Sequence, residues 1–346
     1  MHSNKAIYVV LLLTAILGIK FCESNLLTQA TLNSQEWQDY KTKYSKTYST
    51  SNPETYALFY YNYNKKLIAS YNTLADRGQR TYRLAINQFS DMRLIHFNAL
   101  FPKTTQPTTN SATQAPTASA AGTSFNPIDD LGFTIEVEDQ GTVCNGGWAY
   151  ATAKSIELFA ANEMATTTPT PLSAQNLIDC AGSGTGCSKQ VSQTAFDYLV
   201  LYGQPLYSKA EYPNNNLLST QGMCLPPTTA TGTPINLAAY ASITDGDDAT
   251  MMRYVFNGFP VVIEFDPTSF DFMQYSSGIF DPPKTYGGSH YMTVIGYGTD
   301  TTTNLDYWLV LNSFGTTWGE SGYIRIKRDS TKPLAKSALF PTALGA

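Results

Sequence analysis

Two polar residues near the end of the chain have the types and spacing for proton transfer. They are His290, in the strand-like run SHYMTVIGYG, and Asn312, in YWLVLNSFGTTWGESGYIRIKR. An imidazole acts as a general base or acid, and an amide can hold the ring in one orientation. The other two histidines stand at positions 2 and 96, so His290 is the single imidazole of residues 123–346. A lone histidine on a strand is more often structural, so its role depends on the surrounding motifs.

Cysteine usage favours disulfide bonds over a metal centre. The chain has five cysteines, of which Cys22 stands near the N-terminus. The other four lie close together in the sequence, at Cys144, Cys180, Cys187 and Cys224. An even set in a secreted protein typically forms two disulfides. Metal binding is the alternative, but no CxxC pair supports it. We expect neither a metal nor another cofactor.

Residues 1–22 are expected to be a secretory signal peptide. Lys5 precedes the apolar run from Ala6 to Gly18, which has the length of a signal core. A membrane anchor is the alternative, but the run is shorter than the roughly 20 residues that span a bilayer. We therefore expect the secretory pathway, with an extracellular or lysosomal/vacuolar destination and no membrane span after signal removal. A formal net charge of −5 without a long basic run argues against nucleic acid as a partner.

The remaining chain is predicted to contain helices first and strands later. Residues 23–100 show helical spacing, and the Thr/Pro/Ala-rich residues 101–122 indicate a linker with a cleavage region. Within residues 123–346, helices are predicted at Trp148–Asn162, Leu172–Cys180, Ser188–Gly203 and Ala249–Asn257, with Ser173 as an N-cap and Gly203 as a C-cap. Strands are predicted at Pro260–Asp266, His290–Gly298, Tyr307–Ser313 and Gly322–Arg328. This order is typical of an α+β protein.

The C-terminal motifs resemble those of papain-family cysteine peptidases. Asn312 stands where the family's Y-W-x-x-K-N-S-W-G-x-x-W-G-x-x-G-Y motif has its asparagine, and Trp318 and Tyr323 also align. Phe314 replaces the first tryptophan after that asparagine. The resemblance implies an α+β, two-lobe papain-like fold over residues 123–346. One lobe would be helical and the other an antiparallel β-barrel-like lobe, with a cleft between them.

The N-terminal region resembles the inhibitory propeptide of cathepsin L-like members of this family. Matches to its E-R-F-N-I-N helix are Tyr61, Asn64, Ile68 and Asn72, and matches to its N-x-F-x-D motif are Asn87, Phe89 and Asp91. The usual arginine is Ala57, and the usual glutamate is one residue out of register at Glu54. The resemblance implies a cathepsin L-type inhibitory propeptide over residues 23–100.

The same resemblance implies a site that lacks its nucleophile. The family places its cysteine directly before the tryptophan of C-G-[SA]-C-[WY], and here Gly147 precedes Trp148. His290 and Asn312 take the positions of the catalytic histidine and its orienting asparagine. Gln140 takes the position of the oxyanion-hole glutamine, although Val143 looks like a one-residue insertion after it.

Two further features follow from the resemblance. Family pairing joins Cys144 to Cys187 and Cys180 to Cys224, which leaves no free thiol in residues 123–346. After its disulfide cysteine the family usually has N-G-G, whose backbone pairs with substrate. Here the residues that follow are Ser188, Lys189 and Gln190, whose side chains are expected to narrow or recharge the cleft.

The sequence therefore predicts a papain-family homologue that is catalytically inactive. It would act as a binding, decoy or storage protein, with a peptide or protein ligand in the inter-lobe cleft and its own propeptide as a second partner. We expect a monomer. The alternative is an active cysteine-type endopeptidase of lysosomal or extracellular proteolysis, reached through sequence error at Gly147 or unexpected chemistry. A third possibility is an inhibitor-like role for the propeptide module.

Overall fold

The computed structural model describes residues 32–103, 115–182, 185–188, 190–214, 223–228, 232–283 and 289–345. The predicted signal peptide and Cys22 lie outside these residues. Among the described helices, none is long and apolar enough to cross a membrane. The chain divides into two compact units. The first is Met1–Leu67 with Ser90–Arg93, and the second is Ile68–Phe89 with Leu94–Ala346.

The first unit contains helix α1 (Gln35–Lys43) and most of helix α2 (Ser51–Asp76). Trp37 of α1 is fully buried, and its indole N–H donates to the Glu54 carboxylate over 3.0 Å. The Asn64 amide donates to two backbone carbonyls, those of Ser90 and Met92, over 2.9 and 3.0 Å. Asn64, which matches the propeptide motif, therefore holds the segment around Ser90 and Met92 against the long helix. The sequence pattern predicts these two helices at Glu36–Ser49 and Pro53–Asn72. Helix α1 ends at Lys43, six residues before the predicted end, and α2 extends the predicted helix at both ends.

A single carboxylate joins three segments of this unit. Asp91 accepts hydrogen bonds from the Tyr40 and Tyr48 hydroxyls, over 3.0 and 2.8 Å, and from the Lys46 ammonium, over 2.9 Å. Its side chain is only 8% exposed. Burial, and then the negative charge of Asp91, raise the pKa of both tyrosines above the ordinary value. The tyrosines therefore remain neutral hydrogen-bond donors to the carboxylate.

Removing this carboxylate should destabilise the first unit. We expect Asp91→Ala to lower the free energy of unfolding by about 3 kcal/mol, because it leaves a partly buried ammonium and two hydroxyls without their acceptor. Urea unfolding of the full-length chain, followed by tryptophan fluorescence, measures the loss. Glu36→Ala is the matched control, since the Glu36 side chain is 53% exposed. It should cost less than about 1 kcal/mol. Equal losses in the two variants would contradict this role of Asp91.

The N-terminal part of the second unit crosses over to the main sheet. The Asn72 side chain, near the end of α2, donates to the Leu84 carbonyl and accepts from the Leu84 amide, over 2.9 and 3.0 Å. This pairing fixes strand β1 (Tyr82–Leu84), which was not predicted. Asn87 then donates to the Met273 carbonyl over 2.8 Å, and helix α3 (Leu94–Ala99) follows.

Of the six later helices in the described part of the chain, the four that were predicted occur in order with corrected ends, whereas the short helices at Pro127–Asp130 and Phe270–Met273 were not predicted. The six are α4 (Pro127–Asp130), α5 (Gly147–Glu163), α6 (Ala174–Asn176, continued by a π-helical turn at Leu177–Ala181), α7 (Ser192–Val200), α8 (Asp248–Phe256) and α9 (Phe270–Met273). Ser173 is confirmed as an N-cap, because its hydroxyl accepts from the Asn176 amide over 3.0 Å. The C-cap prediction for Gly203 is wrong: α7 ends with Leu201 as its C-cap, and Gly203 follows two residues later with φ +57°.

The strands of the described residues form one eight-stranded sheet, in the order β1-β4-β7-β6-β5-β3-β8-β2. Its remaining strands are β2 (Leu237–Ser242), β3 (Val261–Phe265), β4 (Tyr275–Phe280), β5 (His290–Thr299), β6 (Asp306–Leu311), β7 (Tyr323–Lys327) and β8 (Leu339–Leu344). The four predicted strands are β3, β5, β6 and β7. Strands β2, β4 and β8 were missed, because the first is alanine-rich, the second holds a central glycine and the third contains Pro341.

Helix α5 is buried on all sides from Gly147 to Ala161, as expected for a helix in the centre of a core. The Thr293 hydroxyl of β5 donates to the Ala151 carbonyl over 3.1 Å. The Ser155 hydroxyl donates to the Pro260 carbonyl over 2.7 Å. These two bonds set the position of α5 along the sheet.

Two disulfides tie the helices together. Cys144 pairs with Cys187, and Cys180 pairs with Cys224, as the family resemblance implied. The first holds the entry to α5 against the segment before α7. In the chain-entropy model each closed loop of about 44 residues contributes roughly 4 kcal/mol.

Candidate functional site

The predicted proton-transfer pair comes together at the edge where β5 begins and β6 ends. Antiparallel pairing places Thr293 opposite Leu311, so His290 and Asn312 lie side by side. The His290 Nε2 and Asn312 Oδ1 atoms are 2.7 Å apart, and both residues are buried. The Ser313 amide also donates to this Oδ1, over 2.8 Å, which identifies the oxygen as the acceptor. On this hydrogen-bond network, Nε2 carries the proton of the neutral ring and Nδ1 presents a lone pair.

That lone pair faces Gly147, the first residue of α5. A Cβ built on Gly147 would lie 2.8 Å from His290 Nδ1 and 3.0 Å from Cε1. Nδ1 is fully buried and has no hydrogen-bond partner among the described residues. The imidazole therefore rests directly against the backbone of the helix, in space that a side chain at position 147 would need.

Gln140 lies in the same site. Its backbone N–H donates to the Ser313 carbonyl over 2.9 Å, and its side-chain Oε1 accepts from the Ser313 hydroxyl over 2.6 Å. The same Oε1 would lie 3.2 Å from a Cβ on Gly147. Val143, the apparent insertion, is 70% exposed and bulges outward, so it leaves Gln140 within the site.

Aromatic rings enclose the imidazole. Phe314 stacks on His290 with ring centres 4.8 Å apart, and Phe101 meets it edge-on at 5.0 Å. The sequence placed Phe101 in an exposed linker, but its side chain is only 3% exposed. This contact was missed because a phenylalanine beside a Thr- and Pro-rich run carries no signal of its distant partner. Another missed contact is Ser313, which links Gln140 to Asn312.

Burial controls the charge of this histidine. His290 has no solvent exposure, and its burial lowers the pKa to about 4, against the opposing effect of the hydrogen bond that it donates to Asn312. The ring is therefore neutral near pH 7 and available only as a base. All four cysteines in the described part of the chain are in disulfides, so none supplies a thiolate there. The described residues also hold no group of three or more His, Cys, Asp or Glu that could bind a metal ion.

The predicted cleft-narrowing residues are only partly described. Lys189 lies outside the described residues. The Ser188 hydroxyl donates to the Thr185 carbonyl over 3.4 Å, and the Gln190 amide donates to the Thr185 hydroxyl over 2.5 Å. Both side chains thus contact their own loop.

Sequence comparison establishes the family. Residues 124–342 match the papain family cysteine proteases, and residues 37–94 match the cathepsin propeptide inhibitor domain. The chain therefore belongs to the papain family, with a cathepsin-type propeptide domain before its protease-like domain.

Its relatives include proteins named as cathepsin L. Cathepsin L of Sarcophaga peregrina is 30% identical over 336 residues, covering 91% of this chain and 96% of the relative. A cathepsin L-like proteinase of Fasciola hepatica is 31% identical, covering 88% and 92%. Among solved structures, digestive procathepsin L 3 of the Tenebrio molitor larval midgut is 28% identical with a TM-score of 0.74, covering 89% of this chain and 98% of that chain.

A side chain at position 147 should disturb the site. We expect Gly147→Ala to lower the free energy of unfolding by about 1–3 kcal/mol, because its Cβ pushes into an imidazole enclosed by aromatic rings. The loss should appear despite the better helix propensity of alanine. Thermal and urea unfolding measure it. Gly232→Ala is the control, since its nearest contact would be the end of the Glu211 side chain, 3.2 Å away. An unchanged or increased stability of Gly147→Ala would contradict the close contact.

The depressed pKa of His290 predicts a pH-dependent stability. The unfolded ring, with a pKa near 6.5, takes up a proton before the folded ring does. The contribution of the neutral His290 to the free energy of unfolding is thus fully present above pH 6.5. It is lost as the pH falls to about 4, and the loss amounts to up to roughly 3 kcal/mol. His290→Gln should flatten this part of the profile of unfolding free energy against pH. The control His96→Gln, at an exposed histidine, should keep the pH dependence of the wild type. Equal profiles for the wild type and His290→Gln would refute the depressed pKa of His290.

Proposed function

We propose that this papain-family homologue has no peptidase activity of its own and acts as a binding protein. One observation carries the proposal: the position that faces His290 Nδ1 is Gly147, with no side chain to attack a peptide bond. A papain-type reaction needs a thiolate that forms a covalent bond to the substrate carbonyl carbon. In the wild-type chain, His290 is a base without a nucleophile to deprotonate.

The magnitude of the expected loss is large. Removing the nucleophile of a catalytic triad costs on the order of 10⁶ in rate in a serine peptidase. Here the retained His290–Asn312 hydrogen bond orients the ring but supplies no atom for covalent catalysis. His290 is also uncharged near pH 7, whereas the histidine that stabilises a thiolate is a positively charged imidazolium.

We further propose that Gln140, His290 and Asn312 persist as parts of a peptide- or protein-binding cleft. The propeptide domain supports the chain's own N-terminal region as one occupant, and Phe101 beside His290 is consistent with this. We also propose the domain limits predicted from the sequence, a monomer, and passage through the secretory pathway to an extracellular or lysosomal compartment. The similarity to cathepsin L-like proteins and the two disulfides support the destination.

A covalent active-site inhibitor tests the proposal. Bromelain from Ananas comosus, 30% identical with a TM-score of 0.55, has been solved in complex with the E64 inhibitor and serves as the positive control. After an added protease has cut the linker, we expect the protein to show no covalent E64 adduct by intact mass and no peptide turnover. An E64 adduct or turnover that resists exhaustive removal of the added protease would contradict the proposal.

The matched variant is Gly147→Cys. Because its Cβ would meet the imidazole at 2.8 Å, we expect some adduct formation but far slower than for bromelain. In the uncut Gly147→Cys chain, where Phe101 still contacts His290, adding Phe101→Ala should speed adduct formation by giving the ring room to move. Adduct in these variants and none in the wild type would assign the lost chemistry to position 147.

A further inference from the structure

The end of the predicted linker lies against the protease-like domain. The sequence predicts an exposed linker over residues 101–122, but residues 116–122 accept hydrogen bonds from side chains of helix α8, its C-cap residue and strand β5. We call residues 116–122 the strap. It precedes residue 124, where the papain-family match begins, and it belongs with its partners to the second compact unit. The family match therefore does not account for these contacts.

Helix α8 and its C-cap residue bind the first half of the strap. The Tyr254 hydroxyl donates to the Pro116 carbonyl over 2.8 Å. The Asn257 side-chain amide donates to the Ser119 carbonyl over 3.3 Å, and its Oδ1 accepts from the Ser119 hydroxyl over 2.6 Å. Tyr254 is only 7% exposed, and a buried hydroxyl requires such an acceptor. The strap thus satisfies a polar group of the domain.

Strand β5 binds the second half of the strap. The hydroxyl of Tyr297, a residue that is 2% exposed, donates to the Gly122 carbonyl over 2.8 Å. The backbone of Tyr297 also pairs with Phe125 in both directions, over 2.9 and 2.8 Å. A Cβ built on Gly122 would lie 2.5 Å from the Phe256 ring. The strap therefore approaches the end of α8 more closely than a side chain at position 122 allows.

The contacts recur at every third residue. They fall on Pro116, Ser119, Gly122 and Phe125. This period is that of the polyproline II helix, in which the backbone has no internal hydrogen bonds and its carbonyls can accept from another surface. Aromatic-lined surfaces that bind such segments are a recurring mode of peptide recognition. The run Ala115–Gly122 reads APTASAAG, and its small side chains let the backbone reach the tyrosine hydroxyls.

The strap-binding surface consists of Tyr254, Phe256, Asn257 and Tyr297. We propose that this surface is a binding site for an extended segment of small residues and that the strap is its permanent occupant. Any cleavage that separates the propeptide domain then leaves the strap on the protease-like domain. The start of that domain accordingly moves from residue 123 to residue 116.

This role of the strap is independent of catalysis. Tyr297 lies seven residues along β5 from His290, which corresponds to roughly 23 Å. The strap-binding surface is therefore separate from the candidate site, and the strap remains bound whether or not the domain has peptidase activity.

Digestion of the full-length chain with elastase tests the strap. Elastase accepts small side chains in its specificity pocket, and the strap offers it Ala118, Ala120 and Ala121. A segment must open locally before a protease can cut it, so a bound strap is cut slowly. We expect intact mass to show that the fragment with the protease-like domain retains Pro116 in the wild type. A wild-type digest dominated by fragments that have lost Pro116 through cuts within the strap would overturn the proposal.

Two variants release the strap by different means. Tyr254→Phe removes one donor and should speed cleavage after Ala118 about fivefold, because the loss of one hydrogen bond raises the open fraction of the strap by about that factor. Gly122→Val places a side chain in the space of the Phe256 ring and should speed the same cleavage at least about tenfold. Equal cleavage rates in the wild type and both variants would contradict the proposal.

The matched control is Tyr275→Phe. The Tyr275 hydroxyl likewise donates to a backbone carbonyl, that of Gly278, over 2.7 Å, and the residue is 1% exposed. Its loss should leave cleavage after Ala118 within about twofold of the wild-type rate, because this hydrogen bond lies outside the strap. Equal acceleration by Tyr254→Phe and Tyr275→Phe would mean that cleavage follows general stability rather than release of the strap, and this result would refute the proposed binding site.

Discussion

The contact between the first turn of α5 and the first residue of β5 is the constraint on which the site depends. Helix α5 is buried on all sides, the Cys144–Cys187 disulfide fixes its entry, and Thr293 fixes its position against β5. Gly147 and His290 are thereby pressed together. In this geometry a glycine is compatible with the imidazole, whereas any larger residue requires the ring to move. The absence of a side chain at position 147 is thus part of the packing.

Electrostatics and packing lead to the same conclusion. A charged imidazole needs water or a nearby negative charge, because burial penalises the charged form. Phe314 and Phe101 remove water from His290, and Gly147 offers no thiolate. The remaining polar contact is with Asn312, whose Oδ1 accepts a hydrogen bond from the Nε2–H of the neutral ring. The site therefore stabilises a neutral, oriented base, and this supports the proposal that the chain binds peptides without cleaving them.

The order of helices and strands predicted the α+β class, and the resemblance to the papain family implied the propeptide domain and the pairing of both disulfides. The meeting of His290, Asn312, Gln140 and Gly147 was also expected. The sequence did not reveal that the imidazole lies in the space of a Cβ at position 147, since this distance depends on the packing of α5 against the sheet. It also missed Phe101, whose partner is nearly 200 residues away. Strand β1 was missed because it has only three residues and depends on pairing with β4.

The protonation state of His290 tests the account most directly. Long-range ¹⁵N NMR of the isotopically labelled full-length chain distinguishes the two neutral tautomers from the imidazolium. Between pH 6 and 8 the account predicts a neutral ring with its proton on Nε2 and an unprotonated Nδ1. A ring protonated on both nitrogens in this range would contradict it, because such a ring requires a negative charge beside Nδ1 that Gly147 cannot supply.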